Sequence, residues 1–351
     1  MPQKDSGAGI TRIMPATVEN IAAAAAAITE GRLVAFPTET VYGLGADAFN
    51  PAALACVFEV KNRPSFDPLI VHIAAYGALE KISNLALVSP QNRVIMQKLI
   101  ENLWPGPLTL IVPKRPEVPG LVSGGLNTVA VRFPAHPVAR QLIQAGPPAV
   151  AAPSANPFGY LSPTRAEHVA EQLNGKIDII LDGGKTEFGI ESTVLDICGD
   201  SPRILRHGGT SVEQIEALIG PVAASLSLGN ASPGCLLSHY APLTKLYLYT
   251  PREIQKVQWN TNAAYLFYSE LSRREYRERH GAPSAENLFA LCSTDNTSAA
   301  AARLFDTLHL IDALKYAFIY AECAPANGLG NAINERLYKA AGSVITAGGT
   351  G

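Results

Sequence analysis

The stretch "AFPTETVYGLGADAFNPAALACVFEVKNRPSFDPLIVHI" (Ala35–Ile73) decides how this chain is read. It lies between two apolar runs with strand character, "RLVAF" (32–36) and "LIVHI" (69–73), and holds a helical segment between them, "PAALACVFEVKN" (51–62). Pro51 suits the first position of that helix, where its missing N–H is not needed, and Leu54, Val57 and Phe58 recur at helical spacing. Strand, helix and strand in so short a span predict an α/β unit. The polar residues are the unexpected part. Lys61, Arg63, Asp67 and His72 crowd the passage from helix to strand, where a core needs none of them and an anion site could use them all.

Outward from this stretch the same alternation continues. Upstream, Thr17 can cap an alanine-rich helix, with Glu19 favourable in its first turn and Gly31 ending it. Downstream, "PQNRVIMQKLIENLW" (90–104) reads as an amphipathic helix stopped by Trp104-Pro105-Gly106-Pro107. Strands are expected at 108–112, 128–133, 148–152, 176–181, 192–197 and 203–206, and helices at 136–145, 164–173 and 211–219. Residues 220–242, rich in Pro, Gly and Ser, read as a linker without helical or strand period. Beyond them, "TKLYLYT", "AAYLFY", "ENLFAL" and "YAFIYAE" read as strands separated by helical segments, and "GLGNAINERLYKAAG" (328–342) closes the pattern. The expected layout is an α/β domain with a mixed sheet over 1–219, a linker over 220–242, and a smaller Rossmann-like α/β domain over 243–351.

Composition narrows the function classes. A formal net charge of -2 argues against a mainly electrostatic nucleic-acid binder, while leaving room for a local basic pocket. Five cysteines lie far apart without a CxxC pair, and read as reduced, scattered core thiols. The seven histidines show no metal-ligand spacing. No apolar run approaches the roughly 20 residues that span a bilayer, and no apolar signal segment opens the chain. The expectation is a cytoplasmic protein with no membrane partner.

Three motifs are set aside. "DGGKT" (182–186) resembles the end of a Walker A loop, but the position needing the first glycine is Ile179, so a tight turn is the better reading. "GLGADA" (43–48) resembles a dinucleotide fingerprint, but Pro37 to Tyr42 separate it from the strand. "RREYRERH" (273–280) interleaves Glu275 and Glu278 with its arginines and reads as a solvated helix face.

Lys61 and Arg63 alone could simply complement a helix dipole. Their company points further. Ser154 and Asn156 follow the strand "PAVA" at a strand-to-turn junction, a usual ligand position in α/β sheets. Arg132, Ser192 and Arg206 stand at other strand ends. Three arginines, a lysine and several hydroxyls from separate segments suggest a triphosphate or carboxylate pocket without a P-loop, since the guanidinium fork suits both groups.

The segments "FPTETVYGLGADA", "KNRP" followed by "PLIVHI", "WPGPLTLI", "VAVRFPAHP", "APSANPFGYLSPT" and "GIESTVLDI" resemble the YrdC-like domain of threonylcarbamoyl-adenylate synthases. "SPGCLLSHYAP" and "AINERLYKAAG" resemble the tail of that family's two-domain form. The resemblance implies a nucleotidyltransferase that makes threonylcarbamoyl-AMP and pyrophosphate from L-threonine, bicarbonate and ATP with Mg2+. A partner complex would then move the threonylcarbamoyl group to adenosine 37 of tRNA. By motif position it implies Thr40, His72, Arg132, Ala152 and Ser192 around threonine. It implies Arg63, Asp67, Thr128, Ser154, Ser162 and Arg206 around ATP, with Lys61 and Asn156 completing the KxR and SxN signatures. Lys61 and Arg63 are the candidate catalytic residues, and Tyr240 of the linker is expected to close over the nucleotide. Asp67 stands where the family pattern has Asn, which puts a carboxylate beside the expected phosphates. No general base stands out, and no residue is assigned to the metal. Two alternatives stay open: a non-enzymatic double-stranded-RNA-binding module, and a carbamoyltransferase built on the same domain. Direct RNA contact stays open as well.

Overall fold

The structure, a computed structural model, describes residues 10–224, 240–281 and 286–342. Eleven strands form one mixed sheet. From one edge the order is Arg12–Pro15, Ile179–Asp182, Val34–Phe36, Gly43–Asp47, Val150–Ala151 and Ile70–His72, then Thr128–Arg132, Leu108–Pro113, Thr193–Asp196, Arg203–Arg206 and Ala223–Ala224. Side chains alternate across it: Val34 and Phe36 join one core cluster and Ala35, between them, joins another on the opposite face. The helices Val18–Thr29 and Pro51–Lys61 start as their sequences direct. Thr17 Oγ1 accepts the Asn20 N–H, and Asn50 Oδ1 accepts the N–H groups of Ala52 and Ala53 just ahead of the turn that Pro51 opens.

The glycine pair of the opening stretch is where the expectation falls short. "GLGAD" is itself a strand, antiparallel to Val34–Phe36 with Gly45 opposite Val34. A Cβ on Gly45 would sit 2.7 Å from the Phe36 ring, so the glycine serves close packing within the sheet. "DGGKT" is a turn as expected, with Gly184 at φ +82° and its N–H bound to Asp182 Oδ1 at 2.9 Å. The cysteine reading needs correction: Cys56 and Cys198 are exposed and only Cys292 is fully buried, while Cys235 lies outside the described residues.

The second sheet is wholly parallel, in the order Lys245–Tyr249, Phe318–Glu322, Ala263–Ser269, Leu288–Cys292. The helix Glu270–His280 buries Tyr276 against Tyr265 and Phe267, and leaves most of its charged residues in solvent. Thr297–Ala313 and Gly330–Ala341 cover the other face. That second core also takes in Val41, Leu161 and Ile190 from the first body, each worth about 1.5–3 kcal/mol when buried. The two bodies therefore share apolar packing.

The linker differs at both ends from a plain spacer. Ala223–Ala224 adds a parallel edge strand beside Arg203–Ile204. At its far end Ala241 donates its N–H to the Gly159 carbonyl at 2.8 Å, and the Asp312 carboxylate accepts from the N–H groups of Leu243 and Thr244 at 3.1 and 2.8 Å. Residues 225–239, which include most of "SPGCLLSHYAP", lie outside the described residues. Among the described residues no helix is long and apolar enough to cross a membrane.

Candidate active site

Residues at the ends of several strands line one cleft. On one wall Arg132 ends its strand, in register with His72. Its Nη1 donates to Thr40 Oγ1 at 2.9 Å, its Nε donates to the Gly106 carbonyl at 3.3 Å, and its Nη2 lies 2.7 Å from Glu39 Oε1. Thr38 Oγ1 donates to the Val41 carbonyl at 2.6 Å, so the hydroxyl contact between Thr40 and Thr38 at 2.8 Å has Thr40 as donor. This leaves Thr40 free to accept from Arg132. Burial opposes the Glu39 charge, but Arg132 outweighs it and holds the carboxyl below its ordinary value.

His72 lines the same wall. Burial, reinforced by the neighbouring Arg132 charge, pushes its imidazole down to about 3, so the ring is neutral at physiological pH. Its Nδ1 is buried without a protein partner among the described residues. Ala152 and Ser154 come from the segment after Val150–Ala151, and Gly43 packs closely against it, a Cβ there falling 3.2 Å from the Ala152 Cβ.

The same cleft is lined by Arg63, Ser192, Arg206 and Tyr240. Arg206 donates twice to the Ser192 carbonyl, at 3.2 and 2.8 Å, and to Ser192 Oγ at 3.2 Å. Ser192 Oγ is also 2.7 Å from Thr109 Oγ1. Arg63 is anchored by the carbonyls of Asp67 and Pro68, and its Nη2 is 2.9 Å from Asp67 Oδ2. Tyr240, in the left-handed region at φ +65°, buries its ring 5.7 Å from Phe305.

Nine expected residues meet at the cleft: Thr40, Arg63, His72, Arg132, Ala152, Ser154, Ser192, Arg206 and Tyr240. Five do not line it. Lys61 is 1% exposed and donates its Nζ to the carbonyls of Ser154 (2.6 Å) and Asn156, clamping the segment that carries Ser154 from behind. Burial, with Arg63 nearby, pushes its ammonium well below the ordinary value. Asn156 turns inward to the carbonyls of Pro157 and Tyr160, and Ser162 Oγ donates to Glu191 Oε1. Asp67 is buried beside Arg63 rather than on the cleft wall. Thr128 opens the strand that Arg132 ends, opposite Pro113, roughly 13 Å away by strand rise. The strand-to-turn junction after Val150–Ala151 spends backbone donors within the fold. Ala152, Ala155 and Asn156 give their N–H groups to the carbonyls of Ile70, Tyr42 and Ser154.

The cleft also holds residues that sequence reasoning missed. Thr38 and Glu191 line it, and Glu39 braces Arg132. Glu39 and Glu191 were visible as lone carboxylates among β-branched and apolar residues, positions that demand a buried partner. Arg336 pairs with Glu191 at 2.9 Å from the far end of the chain, and nothing in its local sequence announces that contact.

Residues 26–208 match the family described as "Telomere recombination", and residues 210–342 match "Threonylcarbamoyl-AMP synthase, C-terminal domain". A Bacillus subtilis threonylcarbamoyl-AMP synthase is 43% identical over 337 residues, covering 93% of this chain and 94% of the relative. This chain belongs to the threonylcarbamoyl-AMP synthase family. A Pyrococcus abyssi member of the family is 42% identical over 326 residues, with 91% and 93% covered. A crystal structure of Pyrococcus abyssi Sua5 complexed with L-threonine superposes with a TM-score of 0.84 at 37% identity, covering 96% of this chain and 100% of that one. The family's two matched parts correspond here to the mixed and the parallel sheet, so the synthase fold extends through both bodies.

Proposed function

We propose that this synthase makes threonylcarbamoyl-AMP and pyrophosphate from L-threonine, bicarbonate and ATP, using the cleft between Arg132 and Arg206. The observation that carries the reading is the convergence of three buried arginines, from separate segments, beside a neutral His72 whose Nδ1 has no protein partner among the described residues. Such a wall suits two anions at once, an amino-acid carboxylate and a polyphosphate.

Threonine is assigned to Thr40, His72, Arg132, Ala152 and Ser192, and ATP to Arg63, Ser154, Arg206 and Tyr240. Lys61, Asp67, Asn156 and Ser162 act through these residues, as braces. In the first step bicarbonate yields CO2 and hydroxide, the threonine nitrogen bonds to the CO2 carbon, and the proton it loses combines with the hydroxide as water, giving a carbamate. In the second a carbamate oxygen bonds to the α-phosphorus, the bond to the β-phosphate oxygen breaks, and pyrophosphate leaves. The protein's work is positioning and charge stabilisation. Mg2+ enters as part of the ATP complex. Glu39 and Glu191 are already ion-paired, and the metal would chiefly offset the phosphate charge that Arg63 and Arg206 also face. We assign Tyr240 to covering the nucleotide, and transfer of the product to tRNA adenosine 37 to a separate complex in the cytoplasm.

Pyrophosphate release by the purified chain should require ATP, threonine and bicarbonate together. Equal release without threonine would mark a plain ATPase. RNA binding without any release would favour the non-enzymatic alternative.

A further inference from the structure

Glu191 is the one carboxylate among the described residues that line the cleft. A carboxylate facing a polyphosphate is repulsive, so its presence needs a physical reason. Its ion-pair partner is Arg336, which stands on Gly330–Ala341, the last described helix of the second body. Arg336 is 1% exposed. Its Nε donates to Glu191 Oε2 at 2.9 Å, its Nη1 donates to the carbonyls of His207 and Ala332, and its guanidinium lies 5.4 Å from the Tyr240 ring centre. The neighbouring Glu335 accepts the His207 N–H at 2.9 Å, so the helix is seated on the turn that follows Arg206.

We propose that Arg336 is a positioning residue of the active site, supplied by the second body, that cancels the Glu191 charge so the cleft can take a polyanion. The proposal rests on the reading that ATP binds here. Glu191 remains useful because it accepts from Ser162 and so ties down the segment that presents Ser154. Its charge also makes ATP affinity depend on the docking of the second body: with Arg336 withdrawn, Arg206, which also offsets the Glu191 charge, is drawn to the carboxylate at the expense of the triphosphate. Glu39, the other carboxylate near the cleft, has its arginine within the same body.

The test is a double-mutant cycle in the full chain, read as KM for ATP and for threonine with thermal melts alongside. Arg336→Met should raise the ATP KM about tenfold or more, and the threonine KM much less. Adding Glu191→Gln should return the ATP KM to within about threefold of the unaltered chain, because Gln still accepts from Ser162 and no lone charge remains. Arg336→Lys should stay closer to the unaltered value than Arg336→Met. If Arg336→Met does not fold, the double variant decides alone, since it carries no unpaired charge. A double variant that folds but keeps a tenfold-raised ATP KM would overturn the proposal. Equal losses for ATP and threonine in Arg336→Met would do the same, leaving a merely structural contact. Absence of ATP binding by the unaltered chain in calorimetry would overturn the underlying reading, and the proposal with it, before any variant is compared.

Discussion

Asp67 shows how one residue can be legible in type and not in role. Its place in the motif put it beside phosphate, and its charge was the departure. The side chain instead turns to Arg63, 2.9 Å away, and both are buried. Burial pushes the carboxyl up, and Arg63, Lys61 and Arg206 pull it back without cancelling the effect. Asp67→Asn should therefore free part of the Arg63 charge for the nucleotide, tightening ATP binding by about threefold to tenfold with or without Mg2+. Calorimetry in both conditions checks this. Weaker binding seen only with Mg2+ would place the carboxylate on the metal instead. Lys61 teaches the same lesson. A lysine two residues from an arginine could be read as a phosphate ligand, but carbonyl partners far along the chain turned its ammonium into a clamp.

Elements decide how closely cleft residues approach. The strands Thr193–Asp196 and Arg203–Arg206 meet with a register shift near Arg206, and Gly208 follows where a Cβ would lie 2.2 to 2.4 Å from backbone atoms of Glu191, Ser192 and Thr193. Gly208→Ala must push this backbone aside. It should cost about 1–3 kcal/mol or more in denaturant unfolding, and weaken ligand binding through Ser192 and Arg206. Gly184→Ala is the control: its Cβ meets nothing within 4 Å, and only the positive φ opposes it, at about 1 kcal/mol. Equal stability losses in the two variants would remove the close-approach explanation. Most strands and helices were readable to within a few residues because periodicity and capping are local, although Arg12–Pro15 was not expected. Gly43–Asp47 was missed because glycines that serve close packing look like loop glycines until the opposing Phe36 is known.

At the scale of the whole molecule, the two bodies meet through both apolar and titratable groups. His168 on Ala166–Leu173 stacks on His309 of Thr297–Ala313, ring centres 3.9 Å apart. Asp306, Arg165 and Lys185 surround His168, and Asp312 and the Ser162 carbonyl lie by His309. Burial pushes both rings down to about 4, Arg165 and Lys185 adding to the effect at His168 and His168 adding to it at His309. The folded protein favours the neutral forms, while the unfolded chain protonates near 6.5. Their contribution to stability is therefore complete above about pH 6.5 and is lost as pH falls toward 4, by about 2 kcal/mol or more. Denaturant titrations at neutral and mildly acidic pH should show this slope, and His168→Gln/His309→Gln should flatten it. An unchanged slope would assign the acid sensitivity to other groups.

What the sequence by itself determined was local in its physics. The helix caps at Thr17 and Asn50, the alternation of strands and helices, the parallel second sheet and the segments that carry Arg63, Ser154, Arg132 and Arg206 all follow from neighbours in the chain. What only the tertiary structure decided was which polar groups face the cleft and which are spent on one another. Lys61 on carbonyls, Asp67 on Arg63, Ser162 on Glu191 and Glu191 on Arg336 are pairings between groups that each had several possible partners. A buried charge must be compensated, but the compensating group can come from anywhere in the chain. Here it came for Glu191 from a helix 145 residues away, brought there by the packing of one sheet body against the other.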